Sequence, residues 1–395
     1  MQPALKRILV TGGAGFIGSN LCERLLADGY AVTVIDDLSG GSLANLAECI
    51  HHDRFRFVEQ DLLDSAALTK VMAGHDAIFH LAANSNIPEG RHKTDTDLRL
   101  GTLVTYNVLE AMRRCAISEI AFSSSSVVYG EPTRFPTPEE YGPLFPISLY
   151  GASKLACEGL MSAYCHNYGF QAWIYRFANI CGRHGTHGVI IDFIQKLRAN
   201  PRKLEILGDG QQAKPYLYVG ECVDAMLYIW QHARGDALNF FNLGCEGATS
   251  TERVADLLLN AMGLKDAEKT SERLIYNLLN KPKRLLATLL TAINFINIAI
   301  VVVSTVIINQ VFDFSRNETI GFIIQVVAVT FILILFCEVM PKVYSQQNAM
   351  KIAKLSVYPL YILDKIFRPV SVLLDEKTIK SIDKAYAELE ALVKR

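Results

Sequence analysis

The run Ile8-Leu9-Val10-Thr11-Gly12-Gly13-Ala14-Gly15-Phe16-Ile17-Gly18 constrains this chain most: three apolar residues break into glycines and then resume as a helix-like pattern. Residues 8–10 suit a buried strand and residues 19–28 a helix lying on it. Gly12 and Gly15 let the backbone turn tightly and approach a pyrophosphate, and Gly18 lets the helix pack closely on the strand. A second strand, predicted at 31–35, ends in Asp36. That is about 20 residues on, where an acid that holds a ribose is expected. The stretch reads as a dinucleotide phosphate cradle.

The surrounding pattern supports it. From residue 6 to about 262, apolar strands alternate with amphipathic helices, which predicts a parallel sheet covered on both faces. Strands are expected at 56–59, 77–81, 119–123 and 172–177, and helices at 66–73, 103–115, 153–168, 190–199 and 251–262. Ser250 or Thr249 is placed to cap the last helix. A chain of 395 residues leaves room for two or three domains, and a net charge of −1 gives no reason to expect nucleic acid as a partner. Nine cysteines without a C-x-x-C pair favour reduced thiols in the cytosol. The amino terminus enters the first strand almost at once, leaving no room for a cleavable signal peptide.

Past Gly263 the character changes. Residues 285–312 and 319–337 carry no charge, and each run exceeds the roughly 18 residues that suggest a membrane span. Two such runs joined by a short loop holding Asp313, Arg316 and Glu318 read as a transmembrane hairpin rather than as a pair of buried core helices. Lys281, Lys283 and Arg284 precede the first run, while Lys342, Lys351 and Lys354 follow the second. That charge bias puts both ends in the cytosol, together with residues 1–263. Residues 341–374, interrupted by Pro359 and Pro369, suit juxtamembrane segments along the lipid surface, and 375–395 suit a charged, solvated helix.

Chemistry enters with Phe122-Ser123-Ser124-Ser125-Ser126-Val127-Val128-Tyr129-Gly130 and the later Tyr150-Gly151-Ala152-Ser153-Lys154. Tyr150 and Lys154 are four apart, so a helix start puts them on one face. An ammonium beside a phenol is expected to lower its pKa and make Tyr150 a usable base near neutrality. Ser125, at a strand end, is placed to hydrogen-bond the same substrate oxygen.

With these motifs, residues 6–262 resemble the extended short-chain dehydrogenase/reductases, in particular NAD-dependent nucleotide-sugar epimerases and dehydratases of the UDP-glucose 4-epimerase type. The resemblance implies a Rossmann-type α/β fold, a doubly wound parallel sheet with a substrate domain. It implies that Gly12, Gly15, Phe16, Ile17 and Gly18 hold the NAD pyrophosphate and that Asp36 binds the adenosine ribose. Asp61 and Leu62 would border the adenine, and Leu81, Ala82 and Ala83, after His80, would line the cofactor channel. Ser125, Tyr150 and Lys154 would be catalytic, and Asn179, in Arg176-Phe177-Ala178-Asn179, would contact the diphosphate of a nucleotide-sugar substrate. The implied reaction removes a proton from a sugar hydroxyl and a hydride from the carbon that bears it, and returns them after the keto-sugar turns; a homodimer is compatible.

The departures are specific. Where many relatives carry Asn-x-x-Gly-Thr, this chain has Leu98-Arg99-Leu100-Gly101-Thr102, losing a polar contact near the site. Lys214 stands where an arginine is frequent, keeping the charge without the bidentate fork. After one further helix no more substrate-domain segments are recognisable, so that half is expected to be cut short. The expected organisation is an NAD-binding domain over 1–180 with segments returning to about 245, a partial substrate domain over 181–263 and a partial membrane domain over 272–374, with spans at about 285–309 and 319–337.

Residues 272–374 in turn resemble the transmembrane domain of cyclin-M/CorC-type magnesium transport proteins, through Asn280-Lys281-Pro282-Lys283-Arg284 and Cys337-Glu338-Val339-Met340-Pro341-Lys342. That resemblance implies a magnesium site at Asn294, Asn297 and Glu338. Helix-to-helix hydrogen bonding explains the same asparagines. Two spans alone leave a magnesium shell underfilled, which argues against transport. Three readings follow: a membrane-tethered epimerase or dehydratase with its NAD-binding domain in the cytoplasm, a membrane cation-transport protein whose Rossmann domain senses nucleotide, or a composite chain joined near 263–272.

Overall fold

The computed structural model describes residues 6–84, 90, 92–271, 278–279, 282–311 and 349–367, with isolated positions between 323 and 335. Most of the second predicted span, Glu338 and the charged segment 375–395 lie outside the described residues. The chain divides into two compact units: Met1–Leu204 with Gln212–Ala267, and Glu205–Gln211 with Glu268–Arg395.

The first unit is built on a seven-stranded sheet. Its strands are β1 (Arg7–Thr11), β2 (Ala31–Asp36), β3 (Phe55–Glu59), β4 (Ala77–His80), β5 (Glu119–Ser125), β6 (Gln171–Phe177) and, after four short strands, β11 (Leu238–Leu243). The short strands are β7 (Asn179–Cys181), β8 (Lys203–Ile206), β9 (Ala213–Lys214) and β10 (Tyr216–Tyr218). The order across the sheet is β11-β6-β5-β4-β1-β2-β3, and every pair is parallel. Strand order reverses between β1 and β4, so their carboxyl ends open the crevice where such sheets bind ligands.

Successive residues of a strand point to opposite faces, which divides the apolar core in two. Ile8 and Val10 join Leu21, Trp173 and Trp230 under α1 (Phe16–Ala27) and the later helix Val219–His232. Leu9 joins Met72, Val108 and Met161 under α2 (Ser65–Met72), α3 (Val104–Arg114) and α4 (Leu149–Tyr168). Helices α5 (Val189–Ala199), α6 (Val219–His232) and α7 (Thr251–Ala261) complete the unit. Ser250, not Thr249, caps α7 by accepting from the Arg253 amide at 3.2 Å. α4 starts four residues earlier than its predicted boundary at 153. The cause is Ser148, whose Oγ accepts from the Gly151 amide at 3.0 Å and begins the helix there.

In the second unit, α8 (Pro282–Val311) contains one stretch, Arg284–Ile307, long and apolar enough to cross a membrane, and its apolar side chains are mostly exposed. α9 (Ala349–Ile366) runs through Pro359, where the sequence predicts an interruption. A proline removes one ladder hydrogen bond and tends to bend a helix without having to end it. The Arg284 guanidinium pairs with both oxygens of Asp364, and Thr288 Oγ1 donates to the same carboxylate at 3.4 Å, joining α8 to α9.

Candidate active site

The cradle is backbone brought close to backbone. Gly12 has φ of +70°, and a Cβ there would stand 2.6 Å from the Ala82 amide nitrogen. A Cβ on Gly18 would meet the Gly13 Cα at 2.8 Å. Only glycine meets both demands, which is why the spacing was legible. Gly15 precedes α1 without any side-chain cap among the described residues, so the first amides of the helix, at Phe16 and Ile17, can meet an anion. The Asp36 carboxylate is buried and accepts from the amides of Ala14 and Leu38, each at 2.9 Å, so it braces the cradle itself. Burial raises its pKa, against the two amides that lower it. Gln60 N donates to the Asp36 carbonyl at 3.1 Å, carrying the chain to Asp61, which is exposed, and Leu62, which is buried in the core. Leu81 and Ala82 are held against β1 by hydrogen bonds to Thr11, and Leu81, Ala82 and Ala83 are half-buried. The glycines, the open helix end and the carboxylate together fit a dinucleotide.

Behind the cradle, His80 bridges Thr11 Oγ1 at 2.6 Å and Thr105 Oγ1 at 3.0 Å. Full burial, with Lys154 nearby, pushes its pKa down to about 3, so the ring is neutral.

Ser125 ends β5 and accepts from the Val127 amide at 3.4 Å. Tyr150 lies in the first turn of α4 and Lys154 one turn on, its ammonium 5.7 Å from the Tyr150 ring centre. The structure thus brings Tyr150 and Lys154 together near the carboxyl end of β5. The expected depression of the phenol is not found: burial, then Asp97, pushes Tyr150 up to about 12. Burial of the phenol is the largest cause, and the Lys154 ammonium, which donates to the Ser123 carbonyl at 2.5 Å, does not offset it. Burial pushes the Lys154 ammonium down to about 8, opposed by Glu158 and Asp97 among its neighbours.

Sequence reasoning misses the polar cluster under this site. Arg176 on β6 donates from Nε and Nη2 to both oxygens of Glu158 on α4, at 3.1 and 2.8 Å, and both side chains are 4% exposed. Its Nη1 donates to the Tyr129 hydroxyl and the Glu139 carbonyl, each at 2.9 Å. Ser124 Oγ donates to Glu158 at 2.6 Å, and Tyr129 donates to Asn242 at 2.8 Å. Of the central pair only Arg176 stands in a recognisable motif, the run before Asn179; nothing in the spacing pairs it with Glu158. Arg183 and His184 are missed too. The Arg183 carbonyl accepts from Asn20 at 3.1 Å, and the His184 ring meets Ser19 Oγ at 2.9 Å, covering the start of α1.

Asn179 begins β7 and donates from its amide to the Pro215 carbonyl at 3.1 Å, next to the exposed Lys214. β7 pairs with β10, and β9, which carries Lys214, pairs with β12 (Thr249–Ser250). In the second unit, Asn294 is exposed and Asn297 half-buried, three residues apart on α8. Among the described residues no group of three or more His, Cys, Asp or Glu side chains is set to hold a metal, and Glu338 lies outside them.

A parallel sheet with a glycine cradle at its switch point and a Tyr-x-x-x-Lys pair beside it defines a dinucleotide-dependent enzyme fold. This chain belongs to the NAD dependent epimerase/dehydratase family, whose model matches residues 8–244. A second model, the cyclin M transmembrane N-terminal domain, matches residues 238–382. The UDP-glucose 4-epimerase of Mycolicibacterium smegmatis is 36% identical over 267 residues, covering 66% of this chain and 84% of that protein. Among solved structures, UDP-glucose 4-epimerase with UDP-glucose from Thermotoga maritima matches with a TM-score of 0.61 and 31% identity, over 68% of this chain and 85% of that one. The dTDP-glucose 4,6-dehydratase DesIV from Streptomyces venezuelae, with NAD bound, matches with a TM-score of 0.62 and 28% identity, over the same shares.

Proposed function

We propose that this chain is a nucleotide-sugar epimerase or dehydratase that works by transient oxidation of a sugar hydroxyl, its membrane segment tethering a cytoplasmic NAD-binding unit to the bilayer. The observation that carries the reading is Tyr150 and Lys154, one helical turn apart at the carboxyl end of β5, beside a cradle that only glycine can form. Gly12, Gly15 and Gly18, with the amides at Phe16 and Ile17, would hold the pyrophosphate. Asp36 would take the adenosine ribose, Asp61 and Leu62 would border the adenine, and Leu81, Ala82 and Ala83 would line the channel. NAD, when bound, supplies the hydride acceptor and donor and a positive charge that favours a phenolate. Tyr150 Oη takes the hydroxyl proton and later returns it, Ser125 Oγ orients the reacting oxygen, and Lys154 stabilises the phenolate. Asn179 and Lys214 would grip the diphosphate.

The full chain, purified in detergent, is expected to retain NAD through gel filtration and to turn over a UDP-sugar. Tyr150→Phe should keep the NAD and lose about 10²–10⁴-fold in kcat. Wild-type protein without NAD, or a Tyr150→Phe variant of undiminished activity, would sink the reading.

The match over residues 238–382 favours a second reading, a divalent-cation protein with magnesium at Asn294, Asn297 and Glu338. A magnesium-dependent rise in melting temperature, lost in Glu338→Gln, is its signature; an unchanged melt excludes it.

A further inference from the structure

The turn that leads into α3 is wound more widely than an α-helix: Leu98–Leu103 form a π-helical turn, a rare feature that often marks functional positions. At its start, neighbouring residues differ sharply in exposure. Leu98 is 54% exposed, while Asp97 is 2% exposed. Asp97 is held from several sides. Its Oδ1 accepts from Asn84 at 3.1 Å, and its carbonyl accepts from Ser153 Oγ at 2.7 Å. Gly90 packs on the other carboxylate oxygen so closely that a Cβ there would lie 2.5 Å from Oδ2, and 3.9 Å from Leu149 Cβ. Ser153 adjoins Lys154 and Leu149 adjoins Tyr150, so Asp97 is held against α4 where the pair sits.

Oδ2 itself has no hydrogen-bond partner among the described residues. A buried carboxylate oxygen left unpaired is costly to the fold, and the proton transfers described above give it no use. The other titratable groups that face the pair among the described residues are accounted for. His80 of β4 is neutral, Cys157 of α4 donates to Thr105 Oγ1 at 3.2 Å, and Glu158 of α4 is paired with Arg176. Asp97 is the carboxylate near both Tyr150 and Lys154 that keeps one oxygen without a hydrogen-bond donor among the described residues.

We propose, resting on the function assigned above, that Asp97 is a positioning residue for Tyr150 and Lys154: a negative charge, held against α4 at the entry to the π-helical turn, that sets the pH at which the pair exchanges its proton. Its charge opposes ionisation of the phenol and holds the proton on Lys154, so both effects have the same sign. Asp97→Asn keeps the shape and the acceptor for Asn84 but removes the charge.

The experiment uses the full chain in detergent. Tyrosinate absorbance is titrated in wild type and in Tyr150→Phe, and their difference isolates Tyr150; the same subtraction is made in the Asp97→Asn background. Asp97→Asn should bring the onset of the Tyr150 signal about one pH unit lower and shift the kcat profile the same way, while Asp97→Glu keeps the wild-type values. An onset and a profile both unmoved in Asp97→Asn overturn the proposal. Asp97→Ser, equally free of charge, serves the same comparison should the amide variant fail to fold. A shifted onset in a protein that turns over no nucleotide sugar upholds the role of Asp97 and defeats the assigned function. Turnover with an unmoved onset does the reverse.

Discussion

Each unit contains an arginine clamped to a carboxylate, and the two clamps are built differently. Arg176 and Glu158 are 4% exposed, and the remaining donors and acceptors around them are engaged by Ser124, Tyr129 and the Glu139 carbonyl. Arg284 and Asp364 are 18% and 12% exposed, with Thr288 as the further hydrogen-bond partner on α8. The first pair is the hub of a network that fixes where several segments meet. The second joins two helices at one point. A buried pair is weak evidence for stability as such, but removing one partner of a closed network leaves an uncompensated charge. The contrast predicts that the first clamp fails steeply and the second gently.

The largest effect should therefore come from Arg176→Ala, which strands Glu158 and is expected to cost about 3–5 kcal/mol. Both tryptophans of the chain, Trp173 and Trp230, lie in the first unit, so tryptophan fluorescence during unfolding reports on that unit alone. The double variant Arg176→Met with Glu158→Leu should recover most of the loss, because neither charge is then left unpaired. A single variant as stable as wild type would erase the distinction between the clamps.

Next in size is a pH effect confined to the first unit. His80 stays neutral in the fold, its pKa pushed from 6.5 to about 3, while the unfolded chain takes up a proton near its ordinary value. The unfolded state thus binds more protons below about pH 6.5, and stability falls as pH drops from there toward 3. The slope is about 1.4 kcal/mol per unit. His80→Gln should reduce the acid slope of the tryptophan-monitored unfolding by that amount. An identical slope in the variant would place the proton uptake elsewhere.

For Arg284→Ala, about 1–3 kcal/mol is expected, the scale of a hydrogen bond to a charged group. The loss should appear as earlier melting of helical circular dichroism, with tryptophan fluorescence unchanged. A fluorescence change equal to that of Arg176→Ala would show that the second clamp is not confined to its own unit.

How much of this was legible in the sequence follows the same division. The cradle was readable because glycine is forced there by contacts with Ala82 and Gly13, and a forced residue leaves a pattern. Tyr150 and Lys154 were readable because helix geometry alone brings residues four apart together. Arg176 and Glu158 are 18 residues apart, on a strand and a helix, and their meeting depends on how the sheet places β6 under α4. Local patterns carry no trace of that. The height of the Tyr150 pKa escaped for a related reason, since sequence gives the spacing of the ammonium but neither the burial of the phenol nor the nearness of Asp97. In the second unit the long uncharged run revealed α8, and the continuation of α9 through Pro359 was hidden because proline alone does not say whether a helix ends or bends.

The smallest predicted effect bears most directly on how the legible half works. Ser148 caps α4 two residues before Tyr150, and Ser148→Ala should cost about 1 kcal/mol, since a lost cap frees one orphan amide to solvent. The first turn of a helix frays before the rest, so the displacement falls on Tyr150, while Lys154, buried one turn later, keeps its bond to Ser123. A loss of kcat much larger than the change in stability, with KM held, would therefore trace to the placement of the phenol. If kcat falls only in proportion to the folded fraction, the cap serves the helix alone, and Tyr150 is held in place by the packing around Asp97 and Gly90 instead.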